Sequence, residues 1–580
     1  MTGQRLSSLL RLGVRLLKRL RPTEAHQNLA WAALVGILGA AMALLFERAT
    51  AALQFLFTGC EGTSLDVFKE LNAWRCVAIP TLGGLLAGVV LTFSQRYLRQ
   101  EATDYMEAIT LGDGKVRVRS SLCRSLAAIF SIASGGAIGK EGPLVQLAAM
   151  AASLCGRVRH LPPARLRLLV ACGAAAGITA AFNAPIAGAL FVAEIVLGSL
   201  AMETLGPLFV ASAASIITMR LFGESQPLYQ LATFQAPGLY EVLLLGVLGI
   251  ACGLMACVFQ RLLGIFHEVF AKLAWPLTAK LGLGGLFVGL VAIYHPEVTG
   301  NGYDVVKSLL SAPAFWDAVL LTLLFKMLAT SIVFGSGAVG GVFTPTLMVG
   351  ACTGFLSWHG FDVLFPSLHL QMPGFVAIGM GAMLAAATQA PIMSVLMVFE
   401  MTRGYEIIIP LMLASVVGYY TFRATGLTSL YSPRRRVTRD VFSRPLEAIT
   451  VADIMQNRPG TALPTAGFAE LARHFLTGGL DRQYVVDRDR HLIGVVRLED
   501  LADYLHSRTL ADSVIARDIA YEDAPTLAPE LSLPEALVTF TRAKEHELPV
   551  VHPKTAELLG TLSRNDLLLT LAEVGRRDVR

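Results

Sequence analysis

At 580 residues the chain is too long for one ordinary domain, and 54% hydrophobic against 16% charged residues, with a mean hydropathy of +0.58, places it among membrane proteins. A net charge of +5 supplies no broad basic surface, so no nucleic-acid partner is implied. The eight cysteines, Cys60, Cys76, Cys123, Cys155, Cys172, Cys252, Cys257 and Cys352, form no CxxC pair and sit mostly in apolar stretches. Neither a disulfide framework nor a zinc site is indicated, and no metal or cofactor is required by the pattern.

The N-terminal stretch Arg11-Leu12-Gly13-Val14-Arg15-Leu16-Leu17-Lys18-Arg19 reads as a basic amphipathic helix lying on the membrane surface rather than as a signal peptide. Apolar segments then run near 28–53, 75–95, 122–138, 143–156, 165–182, 185–200, 205–221, 238–264, 280–295, 315–334, 343–357, 372–388, 390–401 and 407–422. Several fall short of the ~20 residues that cross a bilayer, which points to broken helices around an ion path. Basic clusters at 5–21 and 434–439 flank the apolar region, so both ends are expected in the cytoplasm.

The segment Ser134-Gly135-Gly136-Ala137-Ile138-Gly139-Lys140-Glu141-Gly142-Pro143 is a poor piece of core. Gly139 and Gly142 allow close backbone approach, and Pro143 suits the first turn of the apolar helix that follows. Unpaired amides and the positive dipole end of a helix start within the membrane attract an anion. The Glu141 carboxylate would compete for that place and act as a gate opened by protonation or by swinging out. A structural charge on a broken helix is the competing reading.

Repetition strengthens the ion-path reading. Asn183-Ala184-Pro185-Ile186 through Glu194 recurs as Gln389-Ala390-Pro391-Ile392 through Glu400, 206 residues on from Asn183 to Gln389. Gly136-Ala137-Ile138-Gly139 through Pro143 is echoed by Gly337-Ala338-Val339-Gly340 through Pro345, with one residue inserted. Ordered matches at similar offsets argue for a duplication, with repeats of roughly 28–225 and 238–432, and for an ion site where broken helices meet.

The Glu141 segment resembles the GREGP motif of the CLC family of chloride channels and proton/chloride exchangers. Gly335-Ser336-Gly337-Ala338-Val339-Gly340-Gly341-Val342-Phe343-Thr344-Pro345 is similar to that family's GSGxxGGxFxP. The resemblance implies an all-α polytopic membrane domain of two inverted repeats over residues 1–432, with one pore per subunit of a homodimer. It implies Glu141 as the gate and Gly139, Lys140, Gly142, Val342 and Phe343 around the anion. Gly426-Leu427-Thr428-Ser429-Leu430-Tyr431 resembles the final family helix, whose tyrosine hydroxyl faces the anion, which implies that role for Tyr431; an interfacial belt tyrosine is the alternative.

Two departures stand out. The family's GSGIPE is best placed at Ala102-Thr103-Asp104-Tyr105-Met106-Glu107, where Thr103 would supply the anion-contacting hydroxyl but both glycines and the proline are gone. At the inner proton-transfer position of family exchangers stands Ile195, next to Glu194. An alkyl side chain carries no proton, so passive, channel-like chloride conduction is expected, with a proton-coupled chloride antiporter as the alternative.

Beyond a linker at 433–445, residues 446–580 carry one pattern twice, in copies at 446–508 and 509–580 with a period of 66 residues from Gly494 to Gly560. This is similar to a tandem CBS pair, an α/β regulatory module. Ser563 and Asp566 fit its adenosine-binding signature, whereas the first copy keeps Asp500 but has Arg497 at the hydroxyl position. An adenine nucleotide is therefore one expectation and dimer packing the other.

An intramembrane metalloprotease is set aside because His267-Glu268-Val269-Phe270-Ala271 lacks the second histidine of HExxH, so no enzyme activity is expected. A CBS-regulated channel for another ion is disfavoured by amide-rich helix starts beside Lys140. The expected partners are chloride and other small anions, protons in the coupled alternative, and the lipid of a bacterial inner membrane.

Overall fold

The computed structural model describes residues 24–98, 104–110, 112–223, 228–229, 238–431, 449–455, 459–478, 482–497, 499–501, 514–543, 545–564, 566–568 and 570–571. The basic N-terminal stretch, Thr103 and the linker at 433–445 lie outside the described residues. The chain divides into two compact units, Met1–Leu161 with Arg165–Ser432, and Pro433–Arg580 with Pro162–Ala164.

Among its described residues the first unit is built from helices joined by short loops. Its helices are α1 (Glu24–Thr58), α2 (Ser64–Glu70), α3 (Ala73–Leu98), α4 (Tyr105–Thr110), α5 (Val118–Ala133), α6 (Glu141–Val158), α7 (Pro163–Phe182), α8 (Pro185–Leu190) and α9 (Met202–Leu221). They continue as α10 (Leu239–Lys272), α11 (Leu277–Ala292), α12 (Tyr303–Ser311), α13 (Trp316–Gly335), α14 (Phe343–Leu364), α15 (Met372–Thr388), α16 (Pro391–Thr402) and α17 (Ile408–Ala424).

Among the described residues, six of these helices are long and apolar enough to cross a membrane. On α10 a stripe of Leu243, Val247, Ile250, Leu254 and Val258 is exposed, while Leu245, Leu248, Cys252, Ala256 and Phe259 are buried. A helix apolar on both faces has one face for the core and one for lipid. Helices α3 and α11 approach closely because glycines face backbone. A Cβ on Gly84 would lie 2.3 Å from the Leu281 carbonyl oxygen, and one on Gly285 would lie 2.0 Å from that of Pro80. Small residues at such a seam substitute backbone packing for the hydrophobic drive that lipid removes.

The duplication is repeated in the backbone itself. Asn183 and Gln389 both take the left-handed conformation, at φ 55° and 57°, immediately before the Ala-Pro that opens α8 and α16. Gly135 and Gly337 do the same before α6 and α14, at φ 90° and 99°. Glu194 accepts hydrogen bonds from the start of α16, and Glu400 accepts them from the start of α8. Two segments that each cap the other must run antiparallel, as an inverted pair does. The apolar segment expected at 185–200 is not one α-helix: after Leu190 it loosens into a π-helical turn, Phe191–Leu197, closed by Gly198 at φ 62°. π-Turns of this kind recur at functional sites.

The second unit holds two copies of one motif. In the first, β1 (Thr461–Ala462) pairs parallel with β2 (Arg482–Val486) across the helix Phe468–Gly478, and β2 pairs antiparallel with β3 (Leu492–Arg497). In the second, Leu527 bridges Val550 in parallel across the helix Leu533–Ala543, and β4 (Glu547–Val551) pairs antiparallel with β5 (Leu558–Ser563). Both hairpins shift register at the matching place, between Val485 and Val486 and between Val550 and Val551.

Candidate functional site

Two helix starts meet inside the first unit. Helix α6 begins at Glu141 after Lys140, and α14 begins at Phe343 after Val342; the first-turn amides of a helix have no acceptor within it. The two approaches are stitched together by a reciprocal pair of backbone bonds. Gly139 N–H donates to the Gly341 carbonyl at 2.7 Å, and Gly341 N–H donates to that of Gly139 at 2.8 Å. The amide of Gly139 is thereby committed to Gly341.

The Glu141 side chain lies back over this junction. It is 3% exposed, and both carboxylate oxygens are buried without a hydrogen-bond partner. A Cβ added to Gly139 would come within 2.0 Å of Glu141 Oε2, and one added to Gly341 within 2.4 Å. Only glycine at both positions leaves room for the carboxylate. A buried, unbonded carboxylate is costly, and at a pair of helix starts it occupies the place that favours a negative charge. Gly142 backs onto Gly340 and Gly341 with ordinary clearance, its Cβ position 3.5 Å from Gly341 N.

Lys140 points elsewhere. Its ammonium pairs with Glu47 of α1 and stands 5.9 Å from the ring centroid of Tyr303. Phe343 is buried against Phe182 at 4.7 Å and Phe191 at 6.1 Å, and Phe191 meets Tyr431 edge-on at 5.7 Å, so an aromatic row joins α14 to the end of the described membrane unit. The structure therefore gathers Gly139, Glu141, Gly142, Val342 and Phe343 and links Tyr431 to them through Phe191.

Ile195 sits half-buried in the π-helical turn. Both oxygens of its neighbour Glu194 are engaged, by Ile392 N–H at 3.3 Å and Met393 N–H at 2.7 Å. Sequence reasoning missed Glu47 and Gly341 as half of the cradle. A lone glutamate within an apolar helix was the available signal for Glu47.

Comparison with known proteins bears on the family and the fold. Residues 83–423 match the family model described as voltage gated chloride channel, and residues 451–507 and 516–573 match the CBS domain. The chain is 46% identical over 417 residues, 71% of its length, to a ClcB-like chloride channel protein of Ralstonia nicotianae, of which 97% is covered. The chain belongs to the CLC family.

The voltage-gated ClC-type chloride channel ClcB of Escherichia coli O9:H4 (strain HS) is 38% identical over 413 residues, 70% of this chain and 98% of that one. Among solved structures, a slow cyanobacterial Cl-/H+ antiporter shares the fold at a TM-score of 0.63 and 23% identity, over 70% of this chain and 96% of its own. A eukaryotic CLC transporter does so at 0.62 and 17%, over 93% and 97%.

In the CBS pair of this CLC chain the two copies differ where a ligand would sit. Asp500 accepts from Arg497 through the backbone N–H at 2.9 Å and through guanidinium Nε and Nη2 at 3.3 and 3.2 Å. In the second copy, 66 residues on, Ser563 Oγ accepts from the Asp566 N–H at 3.1 Å and no arginine stands at that position. Arg482 pairs with Glu545, and the Tyr484 hydroxyl donates to Glu547 at 3.1 Å, so polar contacts join the copies.

Proposed function

We propose that this CLC protein, a chloride transporter by family, passes chloride through the junction of α6 and α14 and that the Glu141 carboxylate is the gate. The observation that carries this reading is the carboxylate itself, buried and unbonded in a cradle of Gly139 and Gly341. When it swings out or is protonated, the vacated space lies between two helix starts, where amides and dipoles stabilise chloride. Val342, Phe343 and Tyr431 line the route in this reading, Thr103 is the proposed source of a further anion-contacting hydroxyl, and Lys140 stands beside Glu141 in sequence with its charge paired to Glu47.

Passive, channel-like conduction is the favoured mode. Ile195 offers no titratable group, and Glu194 is occupied as a cap on α16. Proton-coupled exchange is the second reading, supported by the antiporter fold relatives. Proton movement during chloride efflux from proteoliposomes separates the two. Efflux without uphill proton uptake is the expected result; stoichiometric uptake would overturn passive conduction.

A homodimer in a bacterial inner membrane with both termini in the cytoplasm is part of this proposal, and the flanking basic clusters support the cytoplasmic side of the termini. At the CBS pair an adenine nucleotide would use Ser563 and Asp566 of the second copy, where a serine stands at the hydroxyl position that Arg497 takes in the first. Isothermal titration of the full-length protein with ATP, ADP and AMP tests this; no heat at millimolar nucleotide would refute it.

A further inference from the structure

Lys326, midway along α13, is 0% exposed. Its ammonium donates to the carbonyls of Val298 and Gly300 at 2.9 and 2.7 Å, and no carboxylate pairs with it among the described residues. Two neutral carbonyls satisfy donors but do not cancel a charge, and a buried unpaired ammonium is among the most expensive groups a fold can hold.

The segment it grips leads to both helix starts. Gly300 N–H donates to the Gly135 carbonyl at 3.0 Å, within the glycine run before α6. Two residues further on from Asn301, the Tyr303 hydroxyl lies 3.4 Å from Thr344 Oγ1 in the first turn of α14, and its ring lies under Lys140. With Lys140 paired to Glu47, Lys326 is a buried cation that grips the segment bracing this junction and has no carboxylate partner among the described residues.

We propose that Lys326 is an affinity-determining residue for chloride: its charge is offset by the anion in the pathway and not by any protein carboxylate, while its two carbonyl bonds position the segment that braces both helix starts. Chloride and Lys326 stabilise each other through a low-dielectric interior, where charges act over longer range than in water. This inference rests on the junction of α6 and α14 being the chloride path.

The test compares the full-length wild type with Lys326→Gln, Lys326→Met and Lys326→Arg. Two readouts are taken: the chloride concentration for half-maximal flux in proteoliposomes, and the chloride-dependent rise in Tm in detergent. Glutamine keeps a donor for the carbonyls but loses the charge. It should raise the half-maximal chloride concentration about tenfold, leave the maximal rate within a few fold, and shrink the chloride-dependent Tm rise. Arginine should restore both. A glutamine variant with wild-type chloride affinity, or one that fails to assemble even in saturating chloride, would make Lys326 a mere tether and overturn the proposal. A wild type lacking chloride-dependent flux and stabilisation would instead take down the pathway reading.

Discussion

The carboxylate of Glu194 accepts the Met393 backbone N–H at 2.7 Å, so a residue midway along one repeat's π-helical turn caps the first turn of the other repeat's helix. Glu400 returns the contact to Ile186 and Ala187 at 3.0 and 2.8 Å. Each carboxylate satisfies two amides that would otherwise lack acceptors and faces the positive end of a dipole. Glu194→Gln and Glu400→Gln should each lower stability by about 1–3 kcal/mol, the usual worth of charge-assisted bonds. Thermal unfolding in detergent checks this, and two variants of very unequal cost would argue against equivalent roles.

Glu141→Gln and Glu141→Ala should conduct chloride constitutively and lose dependence on external pH, because the group that fills the cradle no longer carries a charge. Flux measured across pH 4.5 to 7.5 decides it. Steep pH dependence retained in both variants would remove Glu141 from the gate.

Gly341→Ala places a methyl group 2.4 Å from the Glu141 carboxylate, closer than real contacts allow. The carboxylate must leave, and the variant should resemble Glu141→Ala in its raised basal flux. In a double-mutant cycle the two changes should be strongly non-additive. Additive effects would show that the glycine serves some other purpose.

At the turn between β2 and β3, His491 Nδ1 lies 2.8 Å from Asp487 Oδ2. That hydrogen bond raises the imidazole above its ordinary 6.5 and, in return, holds the Asp487 carboxyl below its ordinary 3.8. The histidine contribution is complete below 6.5 and is lost as pH rises through the raised value; the aspartate contribution is complete above 3.8 and is lost as pH falls through the lowered one. The turn should therefore be tightest between these limits. Both groups are on the surface, so the effect is small and screened by salt. Amide exchange of residues 486–492 in the full-length protein should be faster in His491→Ala than in wild type at pH 5.5, with little difference at pH 9. Equal protection at both pH values would refute the coupling.

Much of the candidate site was legible because its signals are local. Glycine, proline and a stranded carboxylate within apolar sequence mark a helix start with a polar task, and Glu141, Gly142, Val342 and Phe343 all lie within two such stretches. The matching offsets announced the duplication, and the backbone repeats it at Asn183 and Gln389. Other features gave weaker local signs. Lys140 beside Glu141 suggested a cation aimed at the anion, yet Glu47, 93 residues earlier, takes its charge. The π-helical turn after Leu190 left no trace in the apolar pattern, because α- and π-turns bury the same residue types.

The sequence by itself determined composition-driven membrane insertion, the broken helices, their duplication, and the family, since each is written in residues close together along the chain. Tertiary structure alone decided which carboxylate faces which helix. Glu194 and Glu400 look equivalent to any interior acid until the two repeats are laid antiparallel, and the Glu141 carboxylate lies buried and unbonded only where Gly139 and Gly341 meet. Hydrogen bonding and charge pairing depend on distances of a few ångströms between residues some 200 positions apart, and those distances exist only in the folded molecule.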